Sequence, residues 1–333
     1  MKLQEYSQAD RFRRAGCLEQ LYGVRALTVA DGRGSGSALW EAESGGGLTV
    51  DVLPDNALDL GRVRYKGHNI SFLAKNGFTS QYAYDLDGFN ENFYAGMLYT
   101  CGLMNAGGGS VDGNTRHAPH GRIHNIASEC RGYGVDAEKD QIVMQGRMRE
   151  AELFGYALQV DRKVIIPVGG SSVTVEDVIT NTTPDEIEYM LLYHFNFGYP
   201  FLSEDLTLEF PEGTVTTPRT PRAAEGMHEF RKFTAPQDDF PEQVYFHDLP
   251  ADNAVVRAVN PALGIGASLA FDKAITPVLT QWKSMKSTDY ALGLEPSNSF
   301  IMGRADERKN GTLKKLGGFE SIRNRVTLTL FDL

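Results

Sequence analysis

Apolar residues recur at every second position along most of this chain, and a period of two is the mark of β-strands buried on one face. Leu48, Val50 and Val52 alternate with Thr49 and Asp51, and Val173 and Val175 with Thr174 and Glu176. Ile187, Tyr189, Leu191 and Tyr193 form one face of a further strand, and Val326, Leu328 and Leu330 one face of another. Turn-forming clusters separate such runs: Gly45-Gly46-Gly47, Gly107-Gly108-Gly109, Gly169-Gly170, Asn181-Thr182-Thr183-Pro184 and Asn310-Gly311. Only residues 3–14 and 87–97 read as short helices. No internal repeat or low-complexity linker breaks the chain. The pattern predicts an all-β fold, one sandwich of antiparallel strands over 1–333, with residues 1–45 as an N-terminal extension packed on it.

Charge and composition exclude some functions. A net charge of −10 is the wrong sign for gripping phosphates, so no nucleic acid is expected. The start, Met1-Lys2-Leu3-Gln4-Glu5, is too polar for a signal peptide, and no apolar run approaches the roughly 18 residues of a membrane span. Cys17, Cys101 and Cys130 are odd in number and widely spaced. They suggest neither a disulfide framework nor a metal knuckle, so the expectation is a cytoplasmic chain with reduced thiols and no membrane partner. There is no GxxxxGK[ST] loop and no GxSxG elbow, and Gly107–Gly109 lacks the βαβ setting of a dinucleotide loop.

Two distant segments place a single ionisable group in apolar or small-residue surroundings. In Tyr193-His194-Phe195-Asn196-Phe197, strand alternation puts His194 and Asn196 on one face and the aromatic rings on the other. In Ala291-Leu292-Gly293-Leu294-Glu295, Glu295 shares its face with Ala291 and Gly293, whose small side chains leave space for a ligand. A His and a Glu in such settings can work as an acid–base couple. Each also has a plain alternative, a core histidine satisfied by backbone and an exposed glutamate at a strand end. Between Arg116 and Asn125, extended chain would align His120, Arg122 and His124. Pro119 and Gly121 exclude helical metal-ligand geometry there, so hydrogen bonding to a polyol is the better reading. His247 and Asp248 end an aromatic strand, and Gln281-Trp282-Lys283 sets an indole between polar groups in the manner of a sugar platform.

Taken in order, these segments resemble the galactose mutarotase-like (aldose 1-epimerase) superfamily, and most closely its DUF4432 branch. The resemblance rests on Leu53-Pro54-Asp55 with Leu58-Asp59-Leu60, Tyr99-Thr100-Cys101-Gly102-Leu103, His120-Gly121-Arg122-Ile123, Leu192 through Pro200, Tyr245-Phe246-His247-Asp248, Gln281-Trp282-Lys283 and Gly293-Leu294-Glu295-Pro296. It implies a β-supersandwich with a few short helices, a sugar cleft on a concave face, and no obligatory metal or other cofactor. It implies His194 as acid and Glu295 as base, His120 as a substrate-binding residue, and the family's substrate-binding Asp at Asp248, with His247 as the alternative; Arg122, Asn196, Gln281, Trp282 and Lys283 complete the expected substrate-binding set. Asn56 stands where the branch usually has Arg, and the mutarotases' sugar-binding Arg falls on Arg122 or Arg62.

The expected reaction is anomer interconversion of a free or modified monosaccharide by acid–base ring opening, in a monomer or homodimer. It calls for a protonated His194 beside an ionised Glu295, hence a raised His pKa. Two alternatives stand beside it. One is a metal-assisted lyase or isomerase of an oxidised sugar, drawing on His117, His120, His124 or His247. The other is a sugar-binding protein without catalysis.

Overall fold

The alternating runs become strands of three antiparallel sheets in a computed structural model that describes residues 3–83, 88–250 and 254–333. An eight-stranded sheet runs in the order Thr207–Glu209, Ala254–Asn260, Ile265–Phe271, Ser321–Asp332, Ser172–Asn181, Ala157–Pro167, Gln141–Ala151 and Glu129–Asp136. Facing it is a sheet of Val215–Pro218, Gln243–Asp248, Val278–Lys286, Asp289–Ser297, Ile187–Phe197 and Lys314–Leu316, with Leu98–Leu103 also paired to Ile187–Phe197. Met144, Val160, Val164, Val175 and Leu328 from the first sheet share one buried core with Tyr193, Phe195, Phe197, Leu292 and Leu294 from the second. The polar residues between them face outward, which is why the period of two is so clean along Gln141–Ala151.

A third sheet holds Gly23–Thr28, Ala38–Glu43, Leu48–Leu53, Asp59–Tyr65 and His68–Asn69. Val50, Val52, Leu60 and Val63 bring it into the same core. Trp40 lies opposite Val52, so backbone pairing crosses residue 45 and does not break there. Before Gly23 the chain forms a 3₁₀ turn, Leu3–Glu5, and a helix, Gln8–Arg14, capped by the Ser7 hydroxyl. Arg11 holds that helix to the body through two contacts with Asp140, at 2.5 and 2.7 Å. The helix expected over 87–97 is one turn, Phe89–Asn92, because Phe93 is already extended and Gly96 takes a φ of 72°. Residue 87 lies outside the described residues. Cys17, Cys101 and Cys130 are free thiols. Among the described residues no helix is long and apolar enough to cross a membrane.

One buried polar cluster joins all three sheets. Arg162 donates to both Asp177 oxygens at 2.8 and 2.7 Å, and to Asp59 at 2.5 Å, the Ala57 carbonyl at 3.1 Å and the Thr100 hydroxyl at 3.0 Å. The Tyr193 hydroxyl donates to Asp177 at 2.7 Å, and His124 Nδ1 meets Asp59 at 2.6 Å. Both carboxylates and the guanidinium are shut off from water. Removing one partner of such a pairing strands the other charges in a dry core. Arg162→Met keeps most of the volume and is expected to lower unfolding free energy by about 3–5 kcal/mol, read by urea denaturation. A loss within error would mean that the cluster contributes little to stability.

Candidate active site

Three central strands of the second sheet carry His194, Glu295 and Trp282. Ile187–Phe197 pairs with Asp289–Ser297 so that Phe195 faces Leu294 and Asn196 faces Gly293, which brings His194 and Glu295 side by side. Val278–Lys286 pairs on the other side, with Thr280 opposite Glu295 and Trp282 opposite Gly293. Facing residues share a side of the sheet, so His194, Glu295 and Trp282 all point away from the main core. There they border a cavity of about 370 Å³, within the range of small-ligand sites. Its lining also includes His120, Arg219, Glu242, Phe72 and Phe93.

His194 Nε2 lies 3.2 Å from Glu295 Oε1, and both side chains are buried. Gly293 makes that approach possible. A Cβ there would meet Glu295 Oε1 at 2.4 Å, Trp282 Cβ at 3.0 Å and His194 Cε1 at 3.2 Å. The space expected above Gly293 for a ligand is therefore occupied by the acid–base pair itself. No sugar ring fits between the two groups; a ligand has to lie across both.

Burial sets the protonation of the pair. It drives the His194 pKa well below 6.5, helped by nearby His120 and opposed weakly by the Asn196 amide. It drives the Glu295 pKa well above 4.5, helped by Glu242 and opposed by Arg219. Among the described residues His194 Nδ1, Asn196 Oδ1 and Glu295 Oε1 all lack an aligned hydrogen-bond partner. An imidazolium would need an acceptor at both nitrogens, so the neutral pair, imidazole beside carboxylic acid, is the favoured form. This reverses the expectation of a raised His194 pKa, because desolvation outweighs the neighbouring carboxylate.

His120 enters from a loop whose backbone is held in an unusual conformation. Its φ is 58°, and its N–H and C=O are fixed by Gly107 O at 2.8 Å and Gly102 N at 3.0 Å. Gly121 follows at φ 75°, where a Cβ would strike Gly102 O at 2.1 Å. The His120 ring stacks on Phe89 and stands edge-on to His194, with centroids 5.1 and 5.7 Å away. Burial pulls its pKa down to about 4, so it is neutral, and its buried Nδ1 has no hydrogen-bond partner among the described residues. Such strain and unmet hydrogen bonding cluster at ligand sites.

The family model for DUF4432, a domain of unknown function, matches residues 34–330. The chain belongs to the DUF4432 family. Among solved structures it is similar to one described as a "putative aldose 1-epimerase" from Klebsiella pneumoniae, at 25% identity and a TM-score of 0.88, covering 95% of this chain and 86% of that one. A galactose mutarotase-like protein from Clostridium acetobutylicum shares the fold at 14% identity and a TM-score of 0.65, covering 93% and 98% of the two chains. So does a galactose 1-epimerase from Lactobacillus acidophilus, at 13% identity and 0.62, with the same coverage. The all-β galactose mutarotase-like supersandwich is thus the fold of this DUF4432 protein. Comparison with curated proteins finds no match.

Several residues expected around the sugar sit elsewhere in the DUF4432 chain. Asn196 shares the His194 face, but its amide donates to Gly96 O at 3.1 Å and His194 O at 2.9 Å beneath the cavity floor. Gln281 and Lys283 flank Trp282 and so point to the opposite side, as does His247 on the adjoining strand. His247 is bonded to Thr216 Oγ1 at 2.9 Å and Gln281 Oε1 at 3.0 Å, and burial pulls its pKa down to about 4. The Lys283 ammonium donates to Glu229 O at 3.1 Å, and burial brings its pKa to about 8. Asp248 is exposed and paired with Lys273 at 2.6 Å. Arg122 is exposed and outside the cavity lining, its N–H donating to Gly102 O at 2.9 Å. Arg62 is also outside the lining. Among the described residues no group of three His, Cys, Asp or Glu side chains converges as a metal-binding set. Arg219 and Glu242 border the cavity and were not singled out by sequence, because both lie in irregular chain next to a strand, where there is no periodicity to read. The indole Nε1 of Trp282 donates to Glu242 at 2.8 Å.

Gly293→Ala tests the contact directly. The new methyl displaces the Glu295 carboxylate, a flexible end, while the strand pairing survives. We expect little change in Tm and a fall in kcat on the order of 10²-fold on whichever sugar is turned over. Unchanged kcat would show that the contact over Gly293 is dispensable.

Proposed function

We propose that this protein is an aldose 1-epimerase that interconverts the anomers of a free or modified monosaccharide. The observation that carries the reading is the 3.2 Å contact between His194 and Glu295 on the floor of a small-ligand cavity. Ring opening removes a proton from the anomeric hydroxyl and adds one to the ring oxygen. Those two oxygens share one carbon, so a base and an acid must also stand side by side.

The neutral pair offers a free lone pair on His194 and a proton on Glu295, so each ring opening moves two protons, one onto the pair and one off it. His194 takes the proton of the anomeric hydroxyl as Glu295 gives its own to the ring oxygen, and the bond between C1 and the ring oxygen breaks. The pair is then imidazolium and carboxylate. After rotation about the C1–C2 bond, ionised Glu295 takes the proton back from the chain hydroxyl. His194 returns its proton to the new anomeric oxygen, and the ring closes on the other face. Glu295 as base and His194 as acid, the roles implied by family resemblance, thus describe the closing half. His120, neutral and stacked on Phe89, offers a donor or acceptor to a sugar hydroxyl, and Trp282 offers an aromatic wall.

Polarimetry or NMR on freshly dissolved single anomers tests this. Glu295→Gln keeps the shape and removes the proton exchange, so kcat is expected to fall roughly 10²- to 10⁴-fold with a smaller change in KM. Full activity in that variant would remove Glu295 from the mechanism.

The pH profile, corrected for the uncatalysed reaction, gives a second test. The working form has His194 neutral and Glu295 protonated. A lowered His pKa keeps the base free as pH falls below 6.5, and a raised Glu pKa keeps the acid loaded as pH rises above 4.5. A bell is expected, its acid limb displaced below pH 6.5 and its alkaline limb displaced upward from 4.5. An acid limb centred at or above the ordinary His value would contradict the neutral-pair starting state.

A further inference from the structure

Two cationic side chains border the cavity, and they differ. Lys75 is neutralised by Asp289 at 2.8 Å. The Arg219 guanidinium has no hydrogen bond or ion pair among the described residues. Its backbone is nevertheless well fixed. Pro218 pairs with Tyr245, the Arg219 N–H donates to the carbonyl of cavity residue Val244 at 2.9 Å, and Thr220 caps the short helix Pro221–Glu225 that follows. Its positive charge reaches both His120 and Glu295, opposing the protonation of each. Arg219 is exposed, and none of the three carboxyl groups of the lining is paired with it. Asp289 is held by Lys75, Glu242 by the Trp282 indole, and Glu295 carries the proton of the acid–base pair. A guanidinium offers five donors in a planar fork, suited to an anion that presents two oxygens.

We propose that the substrate is an acidic monosaccharide and that Arg219 receives its anionic group. The pair on the cavity floor takes the anomeric carbon, so the anion belongs on the part of the sugar remote from C1. A carboxylate at C6, or a phosphate or sulfonate attached there, supplies that chemistry. This inference rests on the anomer-epimerase reading of the same cavity and deepens it.

The experiment compares glucose and galactose with glucuronate, galacturonate, glucose 6-phosphate and the 6-sulfonate of 6-deoxyglucose. Anomer exchange is followed by NMR and binding by quenching of tryptophan fluorescence, in the wild type, Arg219→Gln and Arg219→Lys. We expect at least one acidic sugar to exceed its neutral parent in kcat/KM, with the three anion types separating carboxylate, phosphate and sulfonate. Arg219→Gln should lower kcat/KM for that sugar about 10- to 100-fold, mainly through KM, and Arg219→Lys should restore part of it. Turnover of neutral parents as fast as every acidic derivative would overturn the proposal and leave the epimerase reading standing. Binding of an acidic sugar that depends on Arg219, without exchange of any anomer, would uphold the anion site and overturn the epimerase reading. Neither binding nor exchange of any sugar in the panel would overturn both.

Discussion

The buried contact of Arg162 with Asp59 and Asp177 is the constraint on which the architecture turns. Arg162 and Asp177 belong to the eight-stranded sheet, Asp59 to the five-stranded sheet, and Thr100 and Tyr193 to the sheet that carries the cavity. No one sheet can satisfy these groups, so leaving any of them unpaired in the core is costly until all three sheets have met. Hydrophobic burial would tolerate some sliding of one sheet over another. A bidentate guanidinium does not, and it fixes their relative placement.

The same cluster reaches the cavity. Asp59 holds His124, whose ring stacks on Tyr99 at 3.7 Å, and Tyr99 lies opposite His194 in the sheet. His124 sits in the 3₁₀ turn that follows the His120 loop. The strained backbone that presents His120 is therefore anchored at one end by the core's ionic cluster and at the other by the Gly102 and Gly107 contacts. His124, which a spacing argument could group with metal ligands, is a structural residue here.

Much of the fold was legible because a half-buried strand has to alternate. Val173, Val175, Leu328 and Leu330 announce their faces without any knowledge of their partners. Register is a different matter. That Phe195 meets Leu294, and so brings His194 beside Glu295, depends on contacts about a hundred residues apart that no local pattern encodes. Family resemblance named both residues but not their contact or their protonation. Alternation could have separated Trp282 from Gln281 and Lys283, since neighbours along a strand face opposite ways; grouping the three by proximity in sequence lost that information. Asn196 shows the limit of the same rule. It does face the cavity side, yet it is fully buried and its amide is taken up by the carbonyls of Gly96 and His194. Arg219 and Glu242 were illegible because the irregular chain at strand ends carries no period.

His194 sits on a strand with partners on both edges, Leu98–Leu103 and Asp289–Ser297, and with nearly every residue buried on both faces. Such a strand exchanges its amide hydrogens only when the whole domain opens. His194 and Glu295 therefore lie in the slowest-breathing part of the molecule, while Arg219 and His120 approach from loops and Phe89 from a one-turn helix. A change of ligand preference over evolutionary time can be made in those segments alone, without disturbing the cooperative unit that holds His194 and Glu295.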